Sequence, residues 1–274
     1  MSYKRILTIQ DISCVGQCSM TVAMPILSAC GQETCILPTA VLSTHTGGFG
    51  KPVVIHLADR CRQMWQHWHQ QGITFDAVLI GYLGSLEAIA MVQEMLDVMV
   101  APGGLVILDP VMGDHGKLYS GFDESYVVAM RELCSRADIL IPNVTEAALL
   151  SGMEYRNIID IDYVNNIADR IGVNRMVLTG IGFHADQTGI FLKDGSHRCH
   201  LAHRRVGGSC HGTGDIFAAC FTGALMQGKN MEESIKIAGE FTALAIERTV
   251  KAPVHWYGVK FEEALPDLIR WLDL

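Results

Sequence analysis

The sequence predicts an α/β fold in which helices cover both faces of a mostly parallel β-sheet. Short runs rich in Val, Ile and Leu alternate with longer segments whose apolar residues recur at helical spacing. The short runs are apolar almost throughout, which is typical of parallel strands buried on both faces. Residues 188–206 differ, since two strand-like runs flank Asp194-Gly195, and they predict an antiparallel hairpin at a sheet edge.

The elements of the first half follow from these patterns in chain order. KRILTIQD (4–11) is a strand, and the helix predicted over 15–31 ends on Gly31. ETCILPTAVL (33–42) is a second strand, residues 53–71 are helical, and FDAVLIGYLG (75–84) is a strand that leads into a loop. A helix over 85–104 closes on Pro and Gly, and LVILDPVMGD (105–114) is the next strand and loop.

The second half continues the alternation. ADILIPN (137–143) is a strand, and Thr145 is the predicted N-cap of the short helix after it. RMVLTGIG (175–182) is the strand before the hairpin, and helices are predicted near 213–227, 231–249 and 261–272. No linker, repeat or low-complexity segment divides the chain, so we expect one domain over residues 1–274.

The composition excludes several classes of protein. Hydrophobic residues make up 49% of the 274 and charged residues 18%, which suits a large core rather than disorder. The net charge of −8 disfavours a nucleic-acid partner, and no apolar stretch has membrane-spanning length. MSYKRILTIQD does not resemble a signal peptide. Nine cysteines, an odd number without CxxC spacing, favour a reduced cytoplasmic protein. The eleven histidines show no pairing that predicts a metal site.

GGSCHGTGDIFAAC (207–220) is the stretch that most directly indicates chemistry. Glycines directly before a helix let backbone N–H groups converge on an anion at the positive end of the helix dipole. Gly212, Thr213 and Gly214 are the expected donors. Asp215, held ionised by the dipole, would accept the proton of an attacking hydroxyl, as phosphoryl transfer requires. A glycine-rich turn with ordinary helix-capping chemistry is the alternative.

Further polar residues follow two predicted strands. Asp109 and Asp114 lie in LDPVMGD, and Asn143 and Glu146 lie in PNVTE. Ligands of open α/β sheets gather at the carboxyl ends of strands, where carboxylates can hold Mg²⁺. Taken singly, each acid could instead be a helix cap or a solvated loop charge. The chain has neither a P-loop motif nor a GxGxxG fingerprint, so a nucleotide would be held in another way.

These motifs resemble those of a known family. GTGD, DPVMGD and PNxxE look like the ribokinase-like kinases, and STHTGGFG, GYLGS and GKLY narrow the resemblance to the vitamin B6 kinases, that is, the pyridoxal or pyridoxamine kinases. The resemblance spans residues 9–219 with the motifs in family order. It implies a ribokinase-like three-layer sandwich, with a mostly parallel central sheet, helices on both faces and an antiparallel edge hairpin.

The resemblance also implies roles for individual residues. Asp215 matches the catalytic base, and Gly212, Thr213 and Gly214 match the anion hole. The resemblance places Asp109, Asp114, Asn143 and Thr179 around ATP. It places Glu146, with Asp109, at the metal. Thr46 and Tyr82 match residues that line the pyridoxal pocket, with His45 nearby, where strand-end packing is an equal alternative.

Two residues depart from the family pattern. Asp11 stands where a serine is usual, and its carboxylate could bind a ring hydroxyl or the pyridine N–H, or shift the preference toward another heteroaromatic alcohol. Cys210 precedes the anion hole, as in the branch similar to hydroxymethylpyrimidine kinases. At a helix N-terminus its thiol pKa would be lowered, and it could add to a pyridoxal aldehyde; a small residue that fills tight space is the alternative.

The expected activity is therefore phosphorylation of the 5′-hydroxymethyl group of pyridoxal, pyridoxamine or pyridoxine. ATP is the implied donor, Mg²⁺ the implied metal and a homodimer the implied assembly, and a monovalent-cation requirement stays open. A hydroxymethylpyrimidine kinase is the nearest alternative. A non-catalytic vitamin B6 sensor is a second, although it would need neither the base nor the metal acids. A nicotinamide oxidoreductase is disfavoured by the missing fingerprint.

Overall fold

The computed structural model describes residues 3–183, 187–207, 210–251 and 255–274. The strands, numbered along the chain, are β1 (Arg5–Ser13), β2 (Glu33–Leu42), β3 (Val54–His56), β4 (Phe75–Ile80), β5 (Val100–Leu108), β6 (Gly113–Asp114), β7 (Lys117–Leu118), β8 (Ile139–Leu140), β9 (Arg175–Thr179), β10 (Gln187–Asp194) and β11 (His197–Arg204). The helices are α1 (Met20–Ala29), α2 (Ala58–Gln70), α3 (Leu86–Met99), α4 (Glu124–Cys134), α5 (Val144–Ser151), α6 (Ile161–Ile171), α7 (Thr213–Met226), α8 (Met231–Val250) and α9 (Leu265–Trp271).

A nine-stranded sheet in the order β11-β10-β9-β8-β5-β4-β1-β2-β3 forms the central layer. The inner strands, from β9 to β2 in that order, pair in parallel. The β10–β11 hairpin pairs antiparallel with β9, and β3 pairs antiparallel with β2. The predicted α/β fold with a mostly parallel sheet and an antiparallel edge hairpin is thus confirmed. The short β6–β7 hairpin stands apart from the sheet.

Two cores, one on each face of the sheet, explain why the strands are apolar throughout. Leu7 and Ile9 of β1 pack with helices α2 to α6. Ile6 of the same strand packs with α1, α7, α8 and α9 on the other face. Successive side chains of a strand point to opposite faces, so a strand between two helical layers needs apolar residues at every position.

Several predicted boundaries were wrong for local reasons. The first helix begins at Met20 rather than near residue 15, because Gly16 has φ +115° and Gln17 forms a bridge with Gly258. Residues 54–56 form strand β3 and α2 begins at Ala58. The segment after Met99 joins β5 rather than prolonging α3. Helices α4 and α6 were not predicted, although Asp123 and Asp160 cap them.

Ladder bonds between neighbouring strand ends bring the polar segments to one edge of the sheet. The amide of Asp109 donates to Ile80 O at 2.8 Å, and that of Thr179 donates to Pro142 O at 2.9 Å. We call this edge, where the parallel strands end, the C-terminal edge. Within the described ranges, no helix combines the length and apolar character needed to cross a bilayer.

Candidate active site

A cradle of backbone N–H groups forms where α7 begins at the C-terminal edge. Gly212 caps the helix at φ +84°, and a Cβ there would overlap the carbonyl oxygen of Gln17, so only glycine fits. The first helical bond runs from Ile216 N to Gly212 O at 3.0 Å. The N–H groups of Thr213, Gly214 and Asp215 therefore precede the helical ladder, and no described side chain caps them. Gly208 and Ser209 lie outside the described residues.

Asp215 lies deep in this cleft, with protein around it and only part of its surface in contact with solvent. Burial raises the pKa of Asp215 from 3.8 to about 7, and the nearby Asp11 adds to the rise. A hydrogen bond from the Ser19 amide opposes it. Desolvation therefore works against the ionised form that the helix dipole is expected to favour. A pKa near 7 suits a general base.

Two further buried acids lie nearby: Asp109 is close to Asp215, and Glu146 is close to Asp109. Burial raises the pKa of Asp109, and the charges of Glu146 and Asp215 raise it further. Burial also raises the pKa of Glu146, against hydrogen bonds that its carboxylate accepts from backbone N–H groups. Those of Asn143 and Met112 donate at 2.8 and 3.2 Å. Two neighbouring buried carboxylates supply the oxygen ligands that a hard cation prefers.

Asn143 and Thr179 lie beside this pair, but their side chains are already engaged. Asn143, rather than the predicted Thr145, is the N-cap of α5, and it forms a capping box with Glu146. Its Nδ2 donates to Gly113 O at 2.9 Å. The Thr179 hydroxyl donates to Pro142 O at 3.3 Å. Both residues thus fix the strand ends beneath the site.

Asp114 lies on the β6–β7 hairpin, at the rim of this group of acids. Its side chain is exposed, and its Oδ1 accepts the amide of His115 at 2.7 Å. It is close enough to act electrostatically on Glu146, whose pKa it raises. The structure thus gathers the predicted nucleotide-side acids, with Asp114 at their rim.

Asp11 also lies close to Asp215, and Tyr82 lies close to Asp11. Asp11 is 3% exposed, and its Oδ2 accepts the Ser13 hydroxyl at 3.1 Å. Burial raises the pKa of Asp11, although hydrogen bonds from Ser19 and Ser13 lower it. Burial and the charge of Asp11 raise the pKa of Tyr82 to about 12. Asp11 is thus a buried, hydrogen-bonded group within the cleft.

The predicted loop residues surround the mouth of the cleft. The His45 ring lies 4.7 Å from that of His211, and its Nδ1 accepts the Gly47 amide at 3.0 Å. Thr46, the next residue, is exposed. Burial raises the pKa of Cys210, opposite to the expected lowering, because Cys210 lies before the cap Gly212 and outside the first turn of α7.

Two residues of the site were not identified from the sequence. Ser19 adopts φ +51° as the N-cap of α1 and donates its amide to Asp215. Placing the helix start at Met20 would have singled it out as a cap. Tyr119 lies within reach of the charges of Glu146, Asp109 and Asp215, which with burial raise its pKa. Tyr119 ends the GKLY motif, although the motif alone does not indicate that proximity.

Comparison with known proteins places the chain in a family. The phosphomethylpyrimidine kinase family model matches residues 28–258. The pyridoxine/pyridoxal/pyridoxamine kinase of Bordetella avium is 30% identical over 273 residues, covering 89% of this chain and 85% of that enzyme. The hydroxymethylpyrimidine/phosphomethylpyrimidine kinase of Haemophilus influenzae is 29% identical over 172 residues, covering 61% of this chain and 63% of that enzyme.

A solved structure agrees with both sequence comparisons. The pyridoxal kinase of Lactobacillus plantarum superposes with a TM-score of 0.90 at 34% identity, over 98% of each chain. We conclude that the chain belongs to the phosphomethylpyrimidine kinase family and shares the ribokinase-like fold of the pyridoxal kinases.

Proposed function

We propose that the protein transfers the γ-phosphoryl group of ATP to the 5′-hydroxymethyl group of pyridoxal, pyridoxamine or pyridoxine. One observation supports the proposal: Asp215, at the start of α7, is close enough to Asp11 of β1 and to Asp109 after β5 for these charges to act on one another. Asp109 and Glu146 form a nucleotide side, and Asp11 and Tyr82 form an alcohol side. In-line phosphoryl transfer needs a base beside the attacking alcohol, close to the phosphoryl group that moves from ATP to that alcohol.

The proposed reaction uses Asp215 as the general base. Its carboxylate takes the proton of the 5′-hydroxyl, the alcohol oxygen attacks the γ-phosphorus, and the bond between the γ-phosphorus and the bridging oxygen breaks to release ADP. The N–H groups of Thr213 and Gly214 face the charge that develops on the transferred group. One such donor contributes roughly 3 kcal/mol to lowering a barrier.

The donor set on the nucleotide side fits Mg²⁺. Asp109 and Glu146 are both buried carboxylates, and the neighbouring charges that act on Asp109 are themselves negative. A divalent cation would be held there by these oxygens, directly or through water. When bound, Mg²⁺ neutralises charge on the phosphate oxygens.

A groove between the β10–β11 hairpin and α8 supports a site for the adenine ring. It has a volume of about 370 Å³ and an apolar wall that includes Ile190, Leu201 and Val206. Gly239 and Ala243 lie on the α8 wall among larger residues that include Lys236, Glu240 and Leu244, and these two small residues leave space for a flat ring beside them. Val206 precedes the segment that leads to the cradle, so a nucleotide in this groove would direct its phosphates toward α7.

Phosphorylation of hydroxymethylpyrimidine is the second candidate. The family model and the Haemophilus influenzae relative favour it. Asp11 is compatible with either substrate, because a buried carboxyl beside Tyr82 could accept a hydrogen bond from a ring amino group as well as from a pyridine N–H or a ring hydroxyl.

Steady-state kinetics with Mg-ATP on the three B6 vitamers and on hydroxymethylpyrimidine tests the proposal. We expect kcat/KM to be highest for a B6 vitamer. A higher value for hydroxymethylpyrimidine would replace this substrate with the second candidate. Absence of ADP formation with all four alcohols would favour a non-catalytic binder. The homodimer, the monovalent-cation requirement, the cytoplasmic location and the single-domain organisation remain predictions.

A further inference from the structure

His197, Cys199 and Glu232 form a cluster away from the cradle of α7, and none of the three lines the groove between the β10–β11 hairpin and α8. One ligand atom from each lies within 4.8 Å of the other two, and His197 Nε2 is 3.0 Å from Glu232 Oε1. His197 pairs with Asp194, which pairs with Arg175 at the start of β9. The cluster therefore lies at the edge of the sheet opposite to the cradle of α7.

The topology brings the three side chains to one face. His197 and Cys199 are two residues apart on β11, so both point to the same side of the sheet. That side is the one covered by α7 and α8, because Cys199 packs against the core beneath these helices. Glu232 in the first turn of α8 faces them across the gap.

We propose that His197, Cys199 and Glu232 bind one Zn²⁺ ion that joins the edge hairpin to α8. Imidazole nitrogen, thiolate sulfur and carboxylate oxygen are the ligands that zinc takes, and three of them with one water complete a tetrahedron. Zinc bond lengths place tetrahedral ligand atoms roughly 3.3–3.6 Å apart. Small rotamer changes in the half-exposed His197 and Glu232 reach that spacing from the present one.

Binding exchanges protons for the metal. The Cys199 Sγ–H bond breaks as the Zn–S bond forms, and the proton goes to solvent. His197 Nε2 must bind as a lone-pair donor, which ends its hydrogen bond to Glu232. Burial and the charge of Glu232 raise the pKa of the Cys199 thiol, and the charge of Lys236, one turn after Glu232 on α8, lowers it in part. The cation must therefore stabilise the thiolate against this burial, and Lys236 partly opposes a second cation. The spacing of cysteines and histidines along the chain gave no sign of this site, because Glu232 comes from a distant element.

Titration of the chelator-treated, full-length protein with Co²⁺ tests the proposal. Co²⁺ takes the same ligands, and a bound thiolate adds a charge-transfer absorption in the near ultraviolet. We expect one saturable equivalent that Zn²⁺ displaces. Loss of a ligand should weaken binding at least tenfold in His197→Ala and Glu232→Gln, and Cys199→Ser should lose the absorption. Zn²⁺ should raise the urea midpoint of the wild type but not of Cys199→Ser.

Cys14→Ser is the matched control, because Cys14 is an exposed free thiol elsewhere on the chain. It should titrate like the wild type. The proposal is overturned by an absorption that survives in Cys199→Ser, by an equal loss in Cys14→Ser, or by binding that does not saturate at one equivalent. The site does not depend on the proposed kinase activity, so either proposal can fail alone.

Discussion

Replacing Asp215 with asparagine removes a charge that the unliganded protein must hold in a poorly solvated cleft. The pKa rises from 3.8 to about 7 on folding, which corresponds to about 4 kcal/mol at 1.36 kcal/mol per pH unit. Asp215 keeps partial contact with solvent, which screens part of this penalty. We therefore expect Asp215→Asn to raise the free energy of unfolding by roughly 1–3 kcal/mol at pH 8.

The sign of the pH dependence follows from proton binding. Below about pH 4 the carboxyl is protonated in both states and contributes nothing. Between that pH and about 7 the folded protein holds a proton that the unfolded chain has lost, so stability falls as pH rises, and above about 7 the full penalty remains. Asparagine resembles the protonated acid, so the gain from the substitution should be small at pH 4 and largest at pH 8.

Urea unfolding of the unliganded protein at these two pH values measures the effect. Glu132→Gln, at an exposed position of α4, is the matched control and should change stability little at either pH. The reasoning is refuted if Asp215→Asn is no more stable than the wild type at pH 8, or if its gain is the same at both pH values. A stabilised variant that has lost activity would also exclude misfolding as the reason for the loss.

Three further predictions concern the cradle, the base and the thiol. Gly212→Ala should lower the free energy of unfolding by more than about 2 kcal/mol in urea melts, because the added methyl group clashes with Gln17 and φ +84° is itself unfavourable for alanine. Gly172→Ala, at φ +76° in open space, should lower it by only about 1–2 kcal/mol, and equal losses in the two variants would contradict the clash. The kcat/KM of the wild type should rise about tenfold per pH unit below about 7 and level off above it, because Asp215 must be ionised; a flat profile argues against this base. Cys210→Ala should leave the ratio of pyridoxal to pyridoxine turnover unchanged, since burial keeps the thiol protonated, and a fall in the pyridoxal share would restore an aldehyde role.

The sequence was most informative where physical rules act locally. The glycines of the cradle and the acids at the strand ends were identified because parallel strands bring their carboxyl ends to one edge. Roles that depend on tertiary contacts were not identified from the sequence. Thr145 and Asn143 are both good caps by type, and only the packing of Glu146 decides for Asn143.

Charge states were the least predictable feature of the site. The low pKa expected for Cys210 was wrong, and desolvation raises the pKa of Asp215 against the expected effect of the dipole. Both depend on how many distant segments close over the group. The bounds of α1 failed for a similar reason. Its start is fixed by the bridge of Gln17 to Gly258, a contact with the other end of the chain.

The turnover of Asp215→Asn with saturating Mg-ATP and pyridoxal tests the central claim most directly. Loss of a general base predicts a kcat about 10²–10⁴-fold below that of the wild type, with Glu132→Gln close to the wild type. An Asp215→Asn enzyme that keeps more than a few per cent of the wild-type kcat would contradict the account.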